Sequence, residues 1–259
     1  MTKPPRWLLA LAVIAAVFAV LPLAGLASRA NWADLPTQLA APAARTALGL
    51  SFRTAAASTV LCLGLGVPLG FALASLKGTA RSVSRAILLA PLVLPPVVSG
   101  LGLLYALGRK GLLGESLSAA GIPIAFTTTA VILAQAFVAM PFMVVSVEAA
   151  LSMRDGRLEA IAATLGAGRS RIFAAVTLPG IAVAIAMGAV LAFARSLGEF
   201  GATLAFAGSL EGVTRTAPLQ IYLARESDPQ AAVALGLVLV AIAILIVAAA
   251  ARPVRRPLS

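Results

Sequence analysis

The sequence predicts a polytopic, all-α membrane protein with about six transmembrane helices. Of its 259 residues, 61% are hydrophobic and only 11% are charged, and its mean hydropathy is +1.02, which excludes a water-soluble domain. The apolar residues also gather into runs of about 20, the length of helix that crosses a bilayer core. Because the bilayer core offers no water to unpaired backbone groups, such runs are expected as helices.

Six apolar runs follow one another, at residues 7–27, 55–76, 86–107, 128–149, 181–200 with an apolar extension to 207, and 231–251. We expect one transmembrane domain over residues 1–259, with an extra N-terminal helix at 7–27, a core at 46–251 and a cytoplasmic hairpin at 151–180. The first run has the positive start of a secretory signal, but it is longer than the apolar part of such a signal, which favours a retained helix.

The basic residues alternate from one side of the predicted bundle to the other. Twelve of the twenty Lys and Arg residues fall on one side: Lys3, Arg6, Lys77, Arg81, Arg85, Arg154, Arg157, Arg169, Arg171, Arg252, Arg255 and Arg256. Short connections rich in Lys and Arg stay in the cytoplasm, so both termini are predicted to be cytoplasmic. The formal charge of +11 therefore marks one side of a chain surrounded by membrane lipid, and does not indicate a nucleic-acid surface.

Glycine and proline mark the second and third runs. Gly66 and Gly70 form a GxxxG in the second run, a spacing that suits close helix packing. Pro95 and Pro96, with Pro91 before them, remove backbone hydrogen bonds from the third run, which predicts a kinked helix. Such a kink is either the hinge of a gate that lines a cavity or an ordinary kink, because proline is frequent in membrane helices.

The connection between the fourth and fifth runs has the pattern of an amphipathic helical hairpin. Asp155 suits the start of a first helix, and Gly166 suits its left-handed end. A second short helix is expected from Ser170, with Pro179 closing it. The apolar positions of the first helix recur at helical spacing: Leu158, Ile161, Ala162 and Leu165. On composition alone, anionic lipid is a candidate partner for this hairpin.

A charged pair lies at the outer end of the fifth run. Arg195 and Glu199 are costly as ions inside an apolar segment, and their i, i+4 spacing allows them to pair on a helix. Two interpretations stay open: an interfacial ion pair that fixes the end of the helix, or an outer gate or translocation path lined by this pair with Ser196 or Thr203.

The residue inventory excludes several kinds of chemistry. The chain has no His and one cysteine, Cys62, so it holds no internal disulfide and no zinc site of the His type. It has no Gly-Lys pair, which a phosphate-binding loop of the Walker type needs, so it is not an ATPase. Two functional classes of membrane protein remain as alternatives: a passive anion channel, which would not need the cytoplasmic hairpin, and a membrane-embedded enzyme. For an enzyme, the intramembrane acids Glu148 and Glu199 lie near opposite faces and make a poor catalytic pair.

Six segments carry a family resemblance. The stretch LEAIAATLGAGRSRIFAAVTLP at 158–179 resembles the cytoplasmic "EAA" loop of ATP-binding-cassette importer permeases. It departs from that pattern at Ala160, where a Glu is expected, and has Glu159 one position earlier. Molybdate permeases in particular are similar at APLVLPPVV (90–98), GRKGLLG (108–114), AMPFMV (139–144), LAFARSLGEFGATLAFAG (191–208) and GVTRTAPLQIY (212–222).

The resemblance implies a type I importer permease in a bacterial inner membrane, transporting molybdate, with tungstate or sulfate and thiosulfate as alternatives. It implies a homodimer on two cytoplasmic ATPase subunits, which bind the ATP and Mg, so that this chain carries no cofactor and no metal. An extracytoplasmic oxyanion-binding protein would dock at the loop over 208–230, with Thr214, Arg215 and Thr216. The apolar face of the hairpin and Gly166 would insert into the ATPase, with Glu159 on the same helix and with Arg169 and Arg171 at the rim.

Overall fold

The computed structural model describes residues 5–250, and within that range all regular secondary structure is helical. The helices are α1 (Arg6–Ser28), α2 (Leu35–Ala40), α3 (Pro42–Ser75), α4 (Gly78–Leu89), α5 (Pro96–Leu107), α6 (Gly114–Ala119), α7 (Thr128–Ser152), α8 (Arg157–Thr164), α9 (Arg169–Ile172), α10 (Leu178–Gly180), α11 (Ala182–Leu197), α12 (Gly201–Ala207), α13 (Ala217–Ser227) and α14 (Pro229–Ala250). Predicted positions Lys3, Ala251, Arg252, Arg255 and Arg256 lie outside the described residues.

Four of these helices are each long and apolar enough to cross a membrane: α1, α3, α7 and α14. The third predicted run is part of a bent pair, and the fifth run lies in α11, which forms a second bent pair with the preceding hairpin segment, so that the described chain has up to six spans. The segment over 78–92 meets α5 at 109°, and the segment over 169–180 meets α11 at 64°. The prediction of about six apolar spans is therefore confirmed as an upper count, with two of them broken.

The prolines break the third run as expected, and the break is sharper than a helix kink, because the chain turns a corner there. A short 3-10 turn over Ala90–Leu92 ends the first segment, and Pro96 begins α5. A proline has no backbone N–H and holds its predecessor in an extended conformation, so Pro95 and Pro96 stop one helix and start the next. With 12 residues, α5 is about 18 Å long, too short to cross a bilayer alone.

Glycines set the close contacts of the bundle core. A Cβ on Gly66 would lie 2.8 Å from Cγ of Met143, and one on Gly70 would lie 2.7 Å from Cβ of Val147. The GxxxG of α3 therefore packs directly against α7, as the spacing indicates. On the other side of the bundle, a Cβ on Gly100 of α5 would lie 2.6 Å from the carbonyl oxygen of Ala202 on α12.

The hairpin forms, with two local corrections. Gly156, at φ 70°, occupies the N-cap position of α8, while the Asp155 side chain accepts a hydrogen bond from the Arg157 backbone N–H at 3.1 Å. Pro179 lies inside α10 and does not close it. A π-helical turn over Phe173–Thr177 joins α9 to α10. Gly166 adopts φ 83°, the left-handed conformation expected at the end of the first helix.

Candidate functional site

The first helix of the hairpin presents apolar side chains to the outside of the protein. Leu158, Ile161 and Leu165 are 61%, 56% and 81% exposed, and we call these three residues the hairpin patch. Ala162, on the same helix, is half-buried, and Arg169 and Arg171 are exposed beyond Gly166. An apolar patch bordered by arginines has the composition of a protein–protein contact, with an apolar centre and a polar rim.

A cluster of ionic and hydrogen-bond contacts joins the base of the hairpin to the neighbouring helices. Arg154, just after α7, donates through Nη2 to Oε1 of Glu159 at 2.6 Å, and the hydroxyl of Thr177 donates to the same oxygen at 3.1 Å. The guanidinium of Arg154 also fills the space that a Cβ on Gly180 would need. We call Arg154, Glu159, Thr177 and Gly180 the hairpin lock. It joins α7, α8, the π turn and α10, so the hairpin is fixed to the spans on both sides of it.

The lock also sets the ionisation of Glu159. Partial desolvation works to raise its pKa, but hydrogen bonds from its own backbone, Arg154 and Thr177, with the charge of Arg154, lower the pKa below the usual value. A carboxyl with a lowered pKa in the folded state adds stability above its unfolded pKa and loses it as the pH falls through the folded pKa. The lock is therefore fully charged at neutral pH and weakens only in acid.

A second ionic cluster joins α4 to the C-terminal end of α7. Glu148 is buried, and its Oε1 accepts hydrogen bonds from Nη2 of Arg81 at 2.8 Å and from Nε of Arg81 at 3.2 Å. Nε of Arg85 lies 3.6 Å from Oε2 of Glu148. Arg81 also donates to Ser152 at 3.2 Å. Since a buried carboxylate needs a cationic partner, this cluster fixes the amphipathic helix α4 against α7.

Arg195 and Glu199 form the ion pair that their spacing predicts, with Nη1 and Oε2 2.5 Å apart. Glu199 is 1% exposed, and its other oxygen accepts the backbone N–H of Ala202 at 2.8 Å. It therefore caps the start of α12 while it pairs with Arg195. Ser196 shares a buried hydrogen bond of 2.9 Å with Ser58 on α3. These contacts give Glu199 and Ser196 structural partners.

Thr203 has no such partner. It is fully buried on α12, and its hydroxyl has no hydrogen bond to any described residue. A buried hydroxyl without a partner in an apolar bundle is costly. Four residues are predicted for the outer gate or path: Arg195, Ser196, Glu199 and Thr203. Among them, Thr203 is the one whose polar group has no hydrogen-bond or ionic partner in the described chain.

The loop over 208–216 is folded inward more than the sequence indicates. Thr214 and Thr216 are 0% and 1% exposed, and Oγ1 of Thr214 accepts the backbone N–H of Leu210 at 2.8 Å. The predicted contact of these two threonines with another protein needs exposed side chains, and neither is exposed: that of Thr214 braces the loop, and the hydroxyl of Thr216 is buried without a hydrogen-bond partner among the described residues. Arg215 keeps part of its surface and pairs with Glu211 at 3.2 Å. The residues of this loop that are exposed, and so are candidates for contact with another protein, include Leu210 and Glu211.

Pro95 and Pro96 lie at the corner between α4 and α5, and the corner is exposed. Val93 is 88% exposed and Val97 is 53% exposed. Irregular backbone at membrane depth is stable only where protein covers it or where it lines a water-filled cavity. The corner therefore indicates either a partner surface or an aqueous path next to Pro95.

Among residues 5–250, no group of three or more His, Cys, Asp or Glu side chains is arranged to hold a metal ion. The cysteine of the chain, Cys62, is buried and unpaired. Sequence reasoning missed the hairpin lock and the Glu148 cluster, since their members are brought together only by packing. The run of basic residues at Arg81 and Arg85 opposite an intramembrane Glu is the signal that points to the second of them.

Comparison with known proteins places these features in context. Residues 66–256 match the family described as "Binding-protein-dependent transport system inner membrane component". The "Molybdenum transport system permease protein ModB" of Mycobacterium tuberculosis is 53% identical over 237 residues, 92% of this chain and 90% of the relative. The protein of the same name from Escherichia coli is 42% identical over 174 residues, 67% of this chain and 76% of the relative.

A solved structure has the same fold. The crystal structure of a bacterial ABC transporter involved in the import of the acidic polysaccharide alginate matches with a TM-score of 0.72 at 18% identity, covering 94% of this chain and 93% of that chain. At this identity the likeness concerns the arrangement of the helices.

Proposed function

The chain belongs to the binding-protein-dependent transport system inner membrane components, and on that premise we propose that it forms the translocation path of an ATP-driven importer for molybdate. As a member of this family it is a multi-pass permease subunit and not an enzyme, and ATP hydrolysis belongs to a separate ATPase subunit. The substrate proposal is supported by relatives named as molybdenum permeases at 53% and 42% identity.

The observation that carries the proposal is the hairpin patch on its rigid base. Leu158, Ile161 and Leu165 remain exposed although they are apolar, while the hairpin lock fixes the hairpin to the end of α7 and to α10. An amphipathic helix of this kind is suited to lie in an apolar groove of a partner protein. We assign that groove to the ATPase, with Arg169 and Arg171 at its rim. Movement of the ATPase would then reach the membrane spans through Arg154 and Gly180.

The same geometry supports a homodimer. The exposed corner at Val93–Pro95 needs cover, and a second copy around a central axis supplies it while leaving an aqueous path between the two α5 helices. Pro95 and Pro96 are then at the edge of that path. A permease with one hairpin serves one ATPase, so two copies would stand on two ATPase subunits.

The orientation and the outer partner complete the proposal. The distribution of Lys and Arg supports cytoplasmic termini and a cytoplasmic hairpin. The opposite face, with the Arg195–Glu199 pair and the loop over 208–216, would meet the extracytoplasmic oxyanion-binding protein. On this loop Leu210, Glu211 and Arg215 are the candidates for contact, since the two threonines are buried.

Three variants with one added cysteine each test this architecture in the assembled complex. The native Cys62 is fully buried, so a maleimide that carries a photoreactive benzophenone, which inserts into a C–H bond of whatever protein lies next to it, should leave the wild-type chain unlinked. We expect Leu165→Cys to cross-link to the ATPase and Val93→Cys to cross-link to a second permease chain. Leu245→Cys, 68% exposed on α14, is the control and should give neither product.

Each product tests a separate part of the proposal. A Leu165→Cys variant that reacts with a small maleimide but never links to the ATPase would contradict the coupling assignment. Absence of a permease–permease product with Val93→Cys, under conditions that label Val93→Cys fully, would contradict the homodimer with α5 at its axis.

A further inference from the structure

An apolar slot of about 300 Å³ opens between the end of α3 and the helix α4, and nothing in the proposed transport cycle uses it. Leu69 and Leu73 of α3 and Ile87 and Leu88 of α4 line it, with Ser84 at its polar edge. Ile87 is 68% exposed, so the slot is open on one side. It lies at the same end of the bundle as the hairpin, because α4 is fixed to the end of α7 that continues into the hairpin.

Positive charge exceeds negative charge beside this slot. Lys77 and Arg85 each follow a residue that lines the slot, Leu76 and Ser84 respectively. Arg81 lies one turn before Arg85 on α4, and Glu148 is the carboxylate with which the two arginines pair. Three cations against one anion leave a surplus of two positive charges. The sequence has no Asp or Glu between Asp34 and Glu115, so α3 and α4 supply no counter-ion of their own.

Two of these three cations are exposed. The side chain of Arg85 is 52% exposed, and its contact with Glu148 is the longer of the two pairs. Lys77 is exposed at the N-terminus of α4, where no side chain caps the first backbone N–H groups. The start of a helix carries a partial positive charge that adds to that of Lys77.

From the slot and its charged rim together, we propose that this place binds one anionic phospholipid of the leaflet on the hairpin side. An acyl chain fills the space between α3 and α4, and the phosphate lies against Lys77 and Arg85. An uncharged partner would leave the two surplus cations without a counter-ion, and a soluble anion would leave the apolar slot empty. The bound lipid would stabilise the position of α4, the helix that precedes the corner at Pro95.

Native mass spectrometry of the whole complex, released from nanodiscs of phosphatidylcholine mixed with phosphatidylglycerol, tests the proposal. We expect wild type to retain phosphatidylglycerol in preference to phosphatidylcholine. Each Lys or Arg near an anionic surface contributes a comparable increment of binding, so the double variant Lys77→Gln/Arg85→Gln should lower that preference about thirtyfold. Arg81 still neutralises Glu148 in this variant, so the fold is preserved.

Two further variants separate the site from general effects. Arg6→Gln/Arg157→Gln removes the same charge from exposed positions on the same predicted side of the membrane and should retain the wild-type preference. Ala72→Phe fills the slot without changing the charge and should lose retained phosphatidylglycerol. The proposal is overturned if wild type shows no preference, if Lys77→Gln/Arg85→Gln keeps it, if the Arg6 and Arg157 control loses it equally, or if Ala72→Phe has no effect.

Discussion

Replacing Gly166 with leucine is expected to abolish the ATP hydrolysis that the loaded binding protein stimulates in the assembled complex, while the permease still inserts into the membrane. Gly166 has φ 83°, and the space around its missing Cβ is open. A leucine there costs about 1–2 kcal/mol of backbone strain, and its side chain projects beside the hairpin patch. If the patch lies in a groove of the ATPase, that side chain occupies the contact itself. The measurement is phosphate release by the purified complex with and without binding protein.

A matched glycine separates contact from strain. Gly121 has φ 78° and open space around its missing Cβ, so Gly121→Leu brings the same backbone cost at a place far from the hairpin in the chain. We expect Gly121→Leu to keep stimulated hydrolysis. Gly166→Asn is a second control, because asparagine tolerates the left-handed conformation better than leucine and is smaller. It should retain more activity than Gly166→Leu. Unchanged stimulation in Gly166→Leu would end the docking proposal.

Replacing Gly180 with alanine should uncouple the hairpin from the spans. The new Cβ would overlap the Arg154 guanidinium, so the end of the Arg154 side chain would have to move, which weakens its contact with Glu159. Hydrogen bonds to charged groups contribute about 1.5–3 kcal/mol, and the partial exposure of this pair places the effect at the lower end, or about a tenfold loss of stimulated ATP hydrolysis. The same assay measures it, together with the amount of assembled complex.

The control for this substitution lies in the same hairpin. Gly168 has an ordinary φ of −68°, and a Cβ there would meet nothing within 4 Å. Gly168→Ala should therefore leave stimulated hydrolysis at the wild-type level. If Gly168→Ala and Gly180→Ala lost stimulated ATP hydrolysis to the same extent, the hairpin would be sensitive to any substitution. That result would contradict the specific role proposed for the hairpin lock.

The sequence carries enough information for the apolar spans and for the hairpin, since both are local patterns. The helical spacing of Leu158, Ile161 and Leu165 and the glycine at 166 are visible without any contact, and the structure has the helix and the left-handed end. The ion pair of Arg195 and Glu199 was also predictable, because its members are four residues apart.

Features made by tertiary packing were not predictable in the same way. Prolines 95 and 96 indicate a break in the third run but not its angle of 109°, and no sequence pattern pairs Gly100 with α12. Burial of Thr214 and Thr216 depends on how the loop folds back, and polar composition alone suggested an exposed surface. The hairpin lock joins Glu159 to residues before and after the hairpin, a pairing that no helical spacing encodes.

The most direct test of the whole account is uptake into proteoliposomes that hold the permease, the ATPase and the binding protein. We predict that labelled molybdate accumulates only when all three proteins and hydrolysable ATP are present, and that sulfate at equal concentration does not displace it. Uptake that continues without ATP would show a passive channel and contradict the central claim. Displacement of molybdate by sulfate at equal concentration would contradict the assignment of the substrate.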